Sequence, residues 1–203
     1  MGAISKNNHF SEAGLAEYVY FLRLFGEPAR LLFTNTKTMT LPWEITITDG
    51  EQNVVYRAKS LFFPQRAETD IFDAADNLVA HIERKNLANH SHHFVSMADG
   101  TTFEFTNELL HQISAITNIE GLSWQLRGDI LSPNYKLYDQ KDQIIAVSTF
   151  IAEQVISQYD KQCICIYKPE HEKTIVAIFI TLLCMIWDRE NSTLGCAMSS
   201  SSD

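Results

Sequence analysis

Basic residues that alternate along extended segments are the chain's best candidates for binding chemistry. Arg57 and Lys59 are two residues apart, so on a strand their side chains share one face. Guanidinium groups suit phosphate because they bind it through paired hydrogen bonds. Arg66 and Arg84 are expected to lie near each other across a hairpin turn, with Lys85 beside them. These residues therefore predict a binding site for an anionic ligand on the surface of a sheet.

An ordinary structural role explains the same residues. Pairing across the turn that begins at Asp49 places Lys59 opposite Glu44, which is a common cross-strand charge pair on a solvated sheet. Both interpretations remain open from the sequence.

Histidines and cysteines are the other candidate ligands. His90, His92 and His93 are close together, but only His90 and His92 share a strand face, and a structural zinc usually takes four ligands. Cys163 and Cys165 are one residue apart, closer than usual zinc spacing. We therefore expect surface histidines, buried thiols and no metal site.

No catalytic pattern is present in the sequence. It contains no Gly-rich phosphate loop, no GxSxG elbow and no HExxH helix. The tripeptide Arg127-Gly128-Asp129 is interpreted as a strand end at which Gly128 permits a bend. We expect a protein that is not an enzyme and needs no cofactor.

Composition narrows the class of protein. The chain has 203 residues, of which 45% are hydrophobic and 20% charged, as expected of a globular protein. Its 16 basic and 25 acidic residues give a net charge of −9, which opposes nonspecific attraction to nucleic acid. The first residues lack the pattern of a signal peptide, and the four cysteines are typical of reduced thiols. The predicted location is the cytoplasm. If the anionic ligand is a lipid head group, the protein would also contact a membrane peripherally.

Short alternating runs dominate the middle of the chain and predict β-strands. Phe103 and Phe105, for example, alternate with Thr102, Glu104 and Thr106. Counting these runs gives about twelve strands. They lie near residues 30–35, 39–48, 54–62, 67–73, 78–84, 92–97, 101–107, 111–116, 122–128, 134–138, 144–149 and 162–167.

A repeated turn pattern connects several of these strands. Asp49, Asp73 and Asp139 are each followed, four residues later, by an amide side chain and then by two apolar residues. Asp at the end of a strand bonds the turn backbone, and Asn tolerates the positive φ that such turns need. Ala98-Asp99-Gly100 predicts a further, tighter turn. Successive strands should therefore be antiparallel neighbours.

The segment from Ile175 to Trp187 has no wet face, since Thr181 is its one polar residue. As a helix it is roughly 20 Å long, which is too short for a ~30 Å bilayer core and typical of a buried helix. We therefore predict a mainly β fold, a closed antiparallel barrel of about twelve strands around a central hydrophobic C-terminal helix, with no transmembrane segment. The predicted inward residues Trp43, Ile45, Tyr56, Phe103 and Phe105 should contact this helix.

The ends of the chain complete the predicted organisation. Residues 1–29 form an extension with an apolar helix over residues 11–25, residues 30–190 form the barrel, and residues 191–203 form a disordered tail. The helix carries apolar residues on both faces, so it should dock on the same chain or contact an oligomer partner or a lipid surface.

Four segments, in this order, resemble the LURP-one-related (YxjI-like) family between about Met39 and Glu190. They are ITDGEQNVVYRAKSLF, IFDAADNLVAHIERK, WQLRGDILSPNYKLYDQKDQIIAVS and TIVAIFITLLCMIWD. The resemblance implies the fold of the tubby C-terminal domain, a twelve-stranded barrel around a central helix. It also implies binding, since tubby-like domains bind phosphoinositide head groups through basic residues on the barrel exterior.

The leading functional hypothesis is therefore a binding module for an anionic lipid head group or another anion. The alternative is a protein-interaction or oligomerisation scaffold that uses the aromatic helix from Leu15 to Phe25.

Overall fold

The computed structural model describes residues 12–37, 44–63, 66–87, 90–106, 116–128, 135–150 and 161–199. These residues form one sheet of twelve strands and two long helices. The helices are α1 (Glu12–Phe25) and α2 (Glu172–Ser199), and a short 3₁₀ helix (Pro169–His171) precedes α2. The strands are β1 (Arg30–Lys37), β2 (Glu44–Asp49), β3 (Val54–Phe63), β4 (Arg66–Asp73), β5 (Leu78–Leu87), β6 (His90–Met97), β7 (Thr102–Thr106), β8 (Ile116–Asn118), β9 (Gln125–Gly128), β10 (Tyr135–Tyr138), β11 (Ile144–Phe150) and β12 (Lys161–Ile166).

The sheet is an antiparallel meander in which one long-range pairing joins the two halves of the chain. Its order is β7-β6-β5-β4-β3-β2-β1-β12-β11-β10-β9-β8, so β1 lies between β2 and β12. Leu32 is opposite Asp49 on one side and Ile164 on the other. The predicted antiparallel neighbours are confirmed.

Closure of the sheet into a barrel is not confirmed. The strand order leaves β7 and β8 as edges, and among the described residues they approach through one isolated bridge between Glu104 and Glu120. The backbone nitrogen of Glu104 donates to the oxygen of Glu120 at 3.0 Å. Glu120 lies two residues beyond the end of β8.

The segment predicted to be a buried helix lies in the first half of α2 and is enclosed on all sides. Ile175 to Leu182 are fully buried, and the core cluster joins them to Ile45, Tyr56, Phe103 and Phe105 of the sheet. The prediction for these inward residues is thus confirmed, while Trp43 lies outside the described residues. Within the described part of the chain, no helix is both long and apolar enough to span a membrane.

Glu172 anchors the first turn of α2 to the sheet. It is buried, accepts a hydrogen bond from Tyr56 Oη at 2.7 Å and forms an ion pair with Arg30 at 3.0 Å. Burial, followed by the bond to Glu172, raises the pKa of Tyr56. A carboxylate in the first turn also meets the positive end of the helix dipole.

The end of α2 differs from the prediction. Residues 191–203 were expected to be disordered, yet the helix continues to Ser199, and residues 200–203 lie outside the description.

The predicted N-terminal helix is confirmed as α1, and one of its faces docks on the outer side of the sheet. Tyr18 and Phe21 pack with Phe33 of β1 and with Cys163 and Cys165 of β12. Docking within the same chain, one of the expected roles, is therefore seen for this face.

Candidate functional site

A cleft of about 620 Å³ opens at the end of the sheet that carries the Asp-centred turns. This volume falls within the range of roughly 300–1,000 Å³ found for small-molecule sites. Its walls come from the turn after β8, from β9 and from the turn after β10. The lining residues are Asn118, Leu122, Ser123, Trp124, Gln125, Arg127, Asp139, Gln140 and Asp142.

Close packing against β7 fixes the turn after β8. Gly121 has a φ of +89°, and a Cβ atom at this position would lie 2.4 Å from the backbone oxygen of Thr102. Backbone bonds from Ile119 N to Trp124 O (3.0 Å) and from Leu122 N to Ile119 O (3.1 Å) complete the turn. Glycine is required here because any side chain would collide with backbone, and the turn sets the position of Trp124.

Trp124 links the cleft to the approach to α2. Its ring packs edge-on against the ring of His171, with centroids 5.0 Å apart. Trp124 is half-buried and also contacts the core cluster, so packing against the core holds this side chain in place.

Arg127 is the cation of the cleft, and its neighbours hold it in one orientation. Leu126 points into the core, so Gln125 and Arg127 lie together on the outer face of β9. The guanidinium lies 4.1 Å from the centre of the Tyr138 ring and donates to Gln125 Oε1 at 2.7 Å. It also forms an ion pair with Asp142.

Asp139 combines a turn role with an ion pair. Its Oδ1 accepts bonds from the backbone of Lys141 at 2.8 Å and Gln143 at 2.9 Å, and its Oδ2 accepts from Lys168 Nζ at 2.6 Å. The bond from Lys168, followed by the bond from the Gln143 backbone, lowers the pKa of Asp139 to about 2. This carboxylate is therefore ionised at neutral pH.

The structure places the sequence-predicted residues Arg57 and Lys59 on one face of β3, as expected. Arg57 forms an ion pair with Asp76 at 3.0 Å. Lys59 is opposite Glu44 on β2, the pairing anticipated by the structural alternative, and opposite Asp70 on β4. Both cations thus stand beside carboxylates.

The other predicted basic residues do not share one surface. Arg84 is opposite the buried His93 on β6, on the inner face, whereas Lys85 lies on the outer face and bonds Glu83 at 2.7 Å. The expected grouping of Arg84 with Lys85 is therefore wrong, because consecutive strand residues point to opposite faces. The backbone of Arg66 pairs with Phe63, while the Arg66 side chain is outside the described part.

The histidine prediction is correct only in part. His92 is half-buried and stacks on Phe94 with centroids 5.9 Å apart, but His93 is 1% exposed and is not a surface residue. The alternation of β6 turns His93 inward beside Val95. The side chain of His90 lies outside the description, and the described residues contain no cluster suited to a metal ion.

The cysteine prediction is confirmed, since Cys163 and Cys165 are fully buried. Gly128 ends β9 as predicted, while Asp129 falls outside the described residues.

Sequence reasoning missed the cleft. Its residues come from two segments, 118–127 and 139–142. The sequence pattern had placed residues 122–127 in a strand and residues 139–142 in a turn. The available signal was the alternation that sets Gln125 and Arg127 on one face, close to a second polar turn. That signal does not reveal a cavity, because the depth of the cleft depends on the turn contact with β7.

The family model for LURP-one-related proteins matches residues 30–183, from the start of β1 into α2. The chain belongs to the LURP-one-related family. The match confirms the resemblance seen in the sequence and includes all residues that line the cleft. A search of the curated proteins finds no match. The X-ray structure of a protein from Arabidopsis thaliana is similar with 15% identity, covering 81% of this chain and 93% of that one at a TM-score of 0.45.

Proposed function

We propose that this LURP-one-related chain is a non-enzymatic binding module that holds a small polar ligand in the cleft. The observation that carries the proposal is a cavity of about 620 Å³ whose lining is polar apart from Leu122 and Trp124. Most small-molecule sites are lined mainly by apolar side chains. A polar lining instead favours a ligand that forms several hydrogen bonds.

The lining is held in place without the ligand, which reduces the ordering cost of binding. Arg127 is fixed by Gln125, Asp142 and the Tyr138 ring, and Asp139 by the turn and Lys168. The cleft is therefore suited to recognition by preformed groups.

The absence of catalysis is part of the proposal and has specific support. Among the described residues, the resolved carboxylate pKa shifts belong to Asp49, Asp73, Asp99 and Asp139, and each is lowered mainly by bonds within its turn or to Lys168. A general acid or base near neutral pH needs a shift in the opposite direction.

Nuclear magnetic resonance of the ¹⁵N-labelled chain tests the proposal. The protein is titrated with separate pools of neutral sugars, polyols, amino acids, nucleotides and inositol phosphates. We expect one pool to shift the amide signals of the cleft segments, and mass spectrometry to recover the ligand unchanged. Failure of all pools to shift these signals would reject the binding function, and recovery of a converted ligand would reject the non-enzymatic part.

The basic residues predicted from the sequence offer a second possible binding site, which would take an anion instead of the ligand of the cleft. The partners seen for Arg57 and Lys85 reduce the charge available to a phosphate, so it ranks below the cleft. Vesicles with and without phosphoinositide test it, with Arg57→Glu as the variant. Equal retention on both vesicles would reject it.

The exposed face of α1 favours a second candidate function, a scaffold that joins two copies of this chain. Leu15, Val19, Tyr20 and Leu24 are 37–54% exposed although all are large and apolar. In an antiparallel pair of α1 helices, the exposed apolar residues at one end of one copy, such as Leu15, would lie beside those at the other end of its partner, such as Leu24. Such self-complementarity supports a symmetric contact.

Light scattering across a range of protein concentrations tests the scaffold. We expect a dimer that Leu24→Glu converts to a monomer, while Leu78→Glu, which changes an exposed leucine at the start of β5, leaves the dimer intact. A monomer at all concentrations would reject self-association, and capture of another protein through α1 would identify a hetero-partner instead.

A further inference from the structure

We infer that the ligand of the cleft is a neutral saccharide. This inference rests on the proposed function and names its ligand class. It follows from the charges of the cleft, from the hydrogen-bonding groups left on its walls and from the aromatic residue among its lining residues.

The charges of the cleft are already compensated within the protein. Arg127 is paired with Asp142, and Asp139 is paired with Lys168. An anionic ligand would meet an arginine whose charge Asp142 already offsets, and a cationic ligand would meet carboxylates that Arg127 and Lys168 already offset. The net charge that the cleft offers to a ligand is therefore small, and a neutral ligand leaves both pairs intact.

The groups that face the cleft provide both donors and acceptors. Asn118 Oδ1 is occupied by Gln125 Nε2 at 3.2 Å, which leaves the Asn118 amide nitrogen as a donor. Ser123 and Gln140 are exposed on the cleft wall, and the second carboxylate oxygen of Asp142 is a further acceptor. A sugar hydroxyl donates one hydrogen bond and accepts others, so a polyhydroxylated ring satisfies a mixed set of this kind.

Trp124 adds the apolar part of the recognition. Its indole is half-buried, lines the cleft and is held by His171, so it presents a fixed aromatic surface. The negative face of an aromatic ring attracts weakly positive hydrogens, such as the C–H groups on one side of a sugar ring. At about 30 Å³ per water molecule, the cleft volume corresponds to roughly twenty waters, enough space for a small saccharide.

The test is a titration of the full chain with glucose, mannose, galactose, N-acetylglucosamine and the disaccharides cellobiose and maltose, followed by amide chemical shifts. Inorganic phosphate and inositol hexakisphosphate are the anionic comparison. We expect a saccharide to shift the cleft signals, and Trp124→Ala to weaken its binding at least tenfold.

Two exposed serines provide a matched pair of variants that should not affect folding. Ser123→Ala in the cleft should weaken saccharide binding by a factor of two or more, while Ser96→Ala on β6 should leave it unchanged. Equal effects of the two would overturn the inference.

The outcomes separate the inference from the proposed function. If another polar molecule but none of the saccharides changes the amide chemical shifts of the cleft residues, the ligand is not a saccharide, while the cleft remains a ligand-binding site. Cleft shifts caused only by the phosphates would likewise overturn the saccharide class and identify an anion site. No shift with any compound of these and the earlier pools would overturn both.

Discussion

The aspartate that begins each repeated turn acts through its carboxylate, which caps the backbone of the turn. Asp73 Oδ1 accepts bonds from the backbone nitrogens of Ala75 and Asn77, both at 2.9 Å, and the Asn77 amide bonds the same carboxylate. The sequence suggested that the amide residue Asn77 adopts the left-handed conformation. In the structure the preceding residue does so instead, since Asp76 has a φ of 59°. The amide is needed instead to close the turn by bonding Asp73.

Replacement of this carboxylate should change the response of the protein to acid. Bonds from the Asn77 backbone, followed by the Asn77 side chain, lower the pKa of Asp73 below 3.8. The folded protein then binds fewer protons than the unfolded chain, so the stabilisation is complete above pH 3.8 and is lost as the pH falls through the folded pKa. We expect Asp73→Asn to lower the melting temperature at neutral pH and to reduce its fall below pH 3.8.

Thermal unfolding followed by circular dichroism measures this effect. Glu170→Gln removes an exposed carboxylate from the same end of the molecule and serves as the control. A slope in acid that is identical for Asp73→Asn and the unmodified protein would contradict the capping role.

Two glycines with the same backbone angle allow the steric demand of the cleft turn to be measured. Gly121 and Gly100 both have a φ of +89°, but only the Cβ atom at Gly121 would collide with its surroundings. Gly100→Ala should lower the free energy of unfolding by roughly 1–2 kcal/mol, the usual cost of a left-handed residue other than glycine. Gly121→Ala should cost more and should shift the amide signals around Trp124, measured by chemical unfolding and by nuclear magnetic resonance. Equal losses of unfolding free energy for the two variants would show that the turn can move away from β7 at little cost.

At the level of the elements, α2 determines the architecture because it offers no face to water. Phe179 stacks on Tyr135 of β10 with centroids 5.0 Å apart, and both residues are fully buried. Strands on all sides of the helix contribute to the same core cluster. The sheet curls around α2 because that arrangement removes both apolar surfaces from water.

Truncation of a buried side chain of α2 should therefore destabilise the folded protein strongly. Phe179→Ala should reduce the free energy of unfolding by about 3–5 kcal/mol, since it leaves a cavity in an enclosed core. Leu78→Ala, which shortens an exposed side chain at the start of β5, should change it by less than about 0.5 kcal/mol. Urea unfolding of both variants measures the difference, and a small effect of Phe179→Ala would contradict the enclosed position of the helix.

At the level of the whole molecule, stability should vary across the sheet with distance from its edges. β1 and β12 are paired on both sides and lie under α1, whereas β7 and β8 meet only through the Glu104–Glu120 bridge among the described residues. Local opening requires less free energy where fewer backbone bonds and buried contacts must be broken.

Amide hydrogen exchange should reveal this gradient. We expect the amides of β1 and β12 to exchange only through global unfolding and those of β8 to exchange orders of magnitude faster, as measured by mass spectrometry of peptides. Equal protection of β7, β8 and β1 would indicate that the sheet is closed by more than the single bridge.

The sequence by itself determined the local structure and the family. Alternation and turn signals predicted β3, β7 and most other strands to within a few residues, because a half-buried strand exposes every second side chain to water. It predicted the Asp-centred hairpins, because the carboxylate and the turn backbone are neighbours in the chain. It also predicted the burial seen from Ile175 to Leu183, because an all-apolar helix has no stable position in water.

Only the tertiary structure decided which distant groups meet. The partner of Arg57, the inward position of His93 and the incomplete pairing of β7 with β8 depend on register and on the twist of the whole sheet. The cleft likewise exists because the glycine turn after β8 packs against β7 while the turn after β10 stands beside it. Periodicity reports whether a side chain faces water or protein, but it does not specify the distance between two surfaces, and that distance creates a binding site.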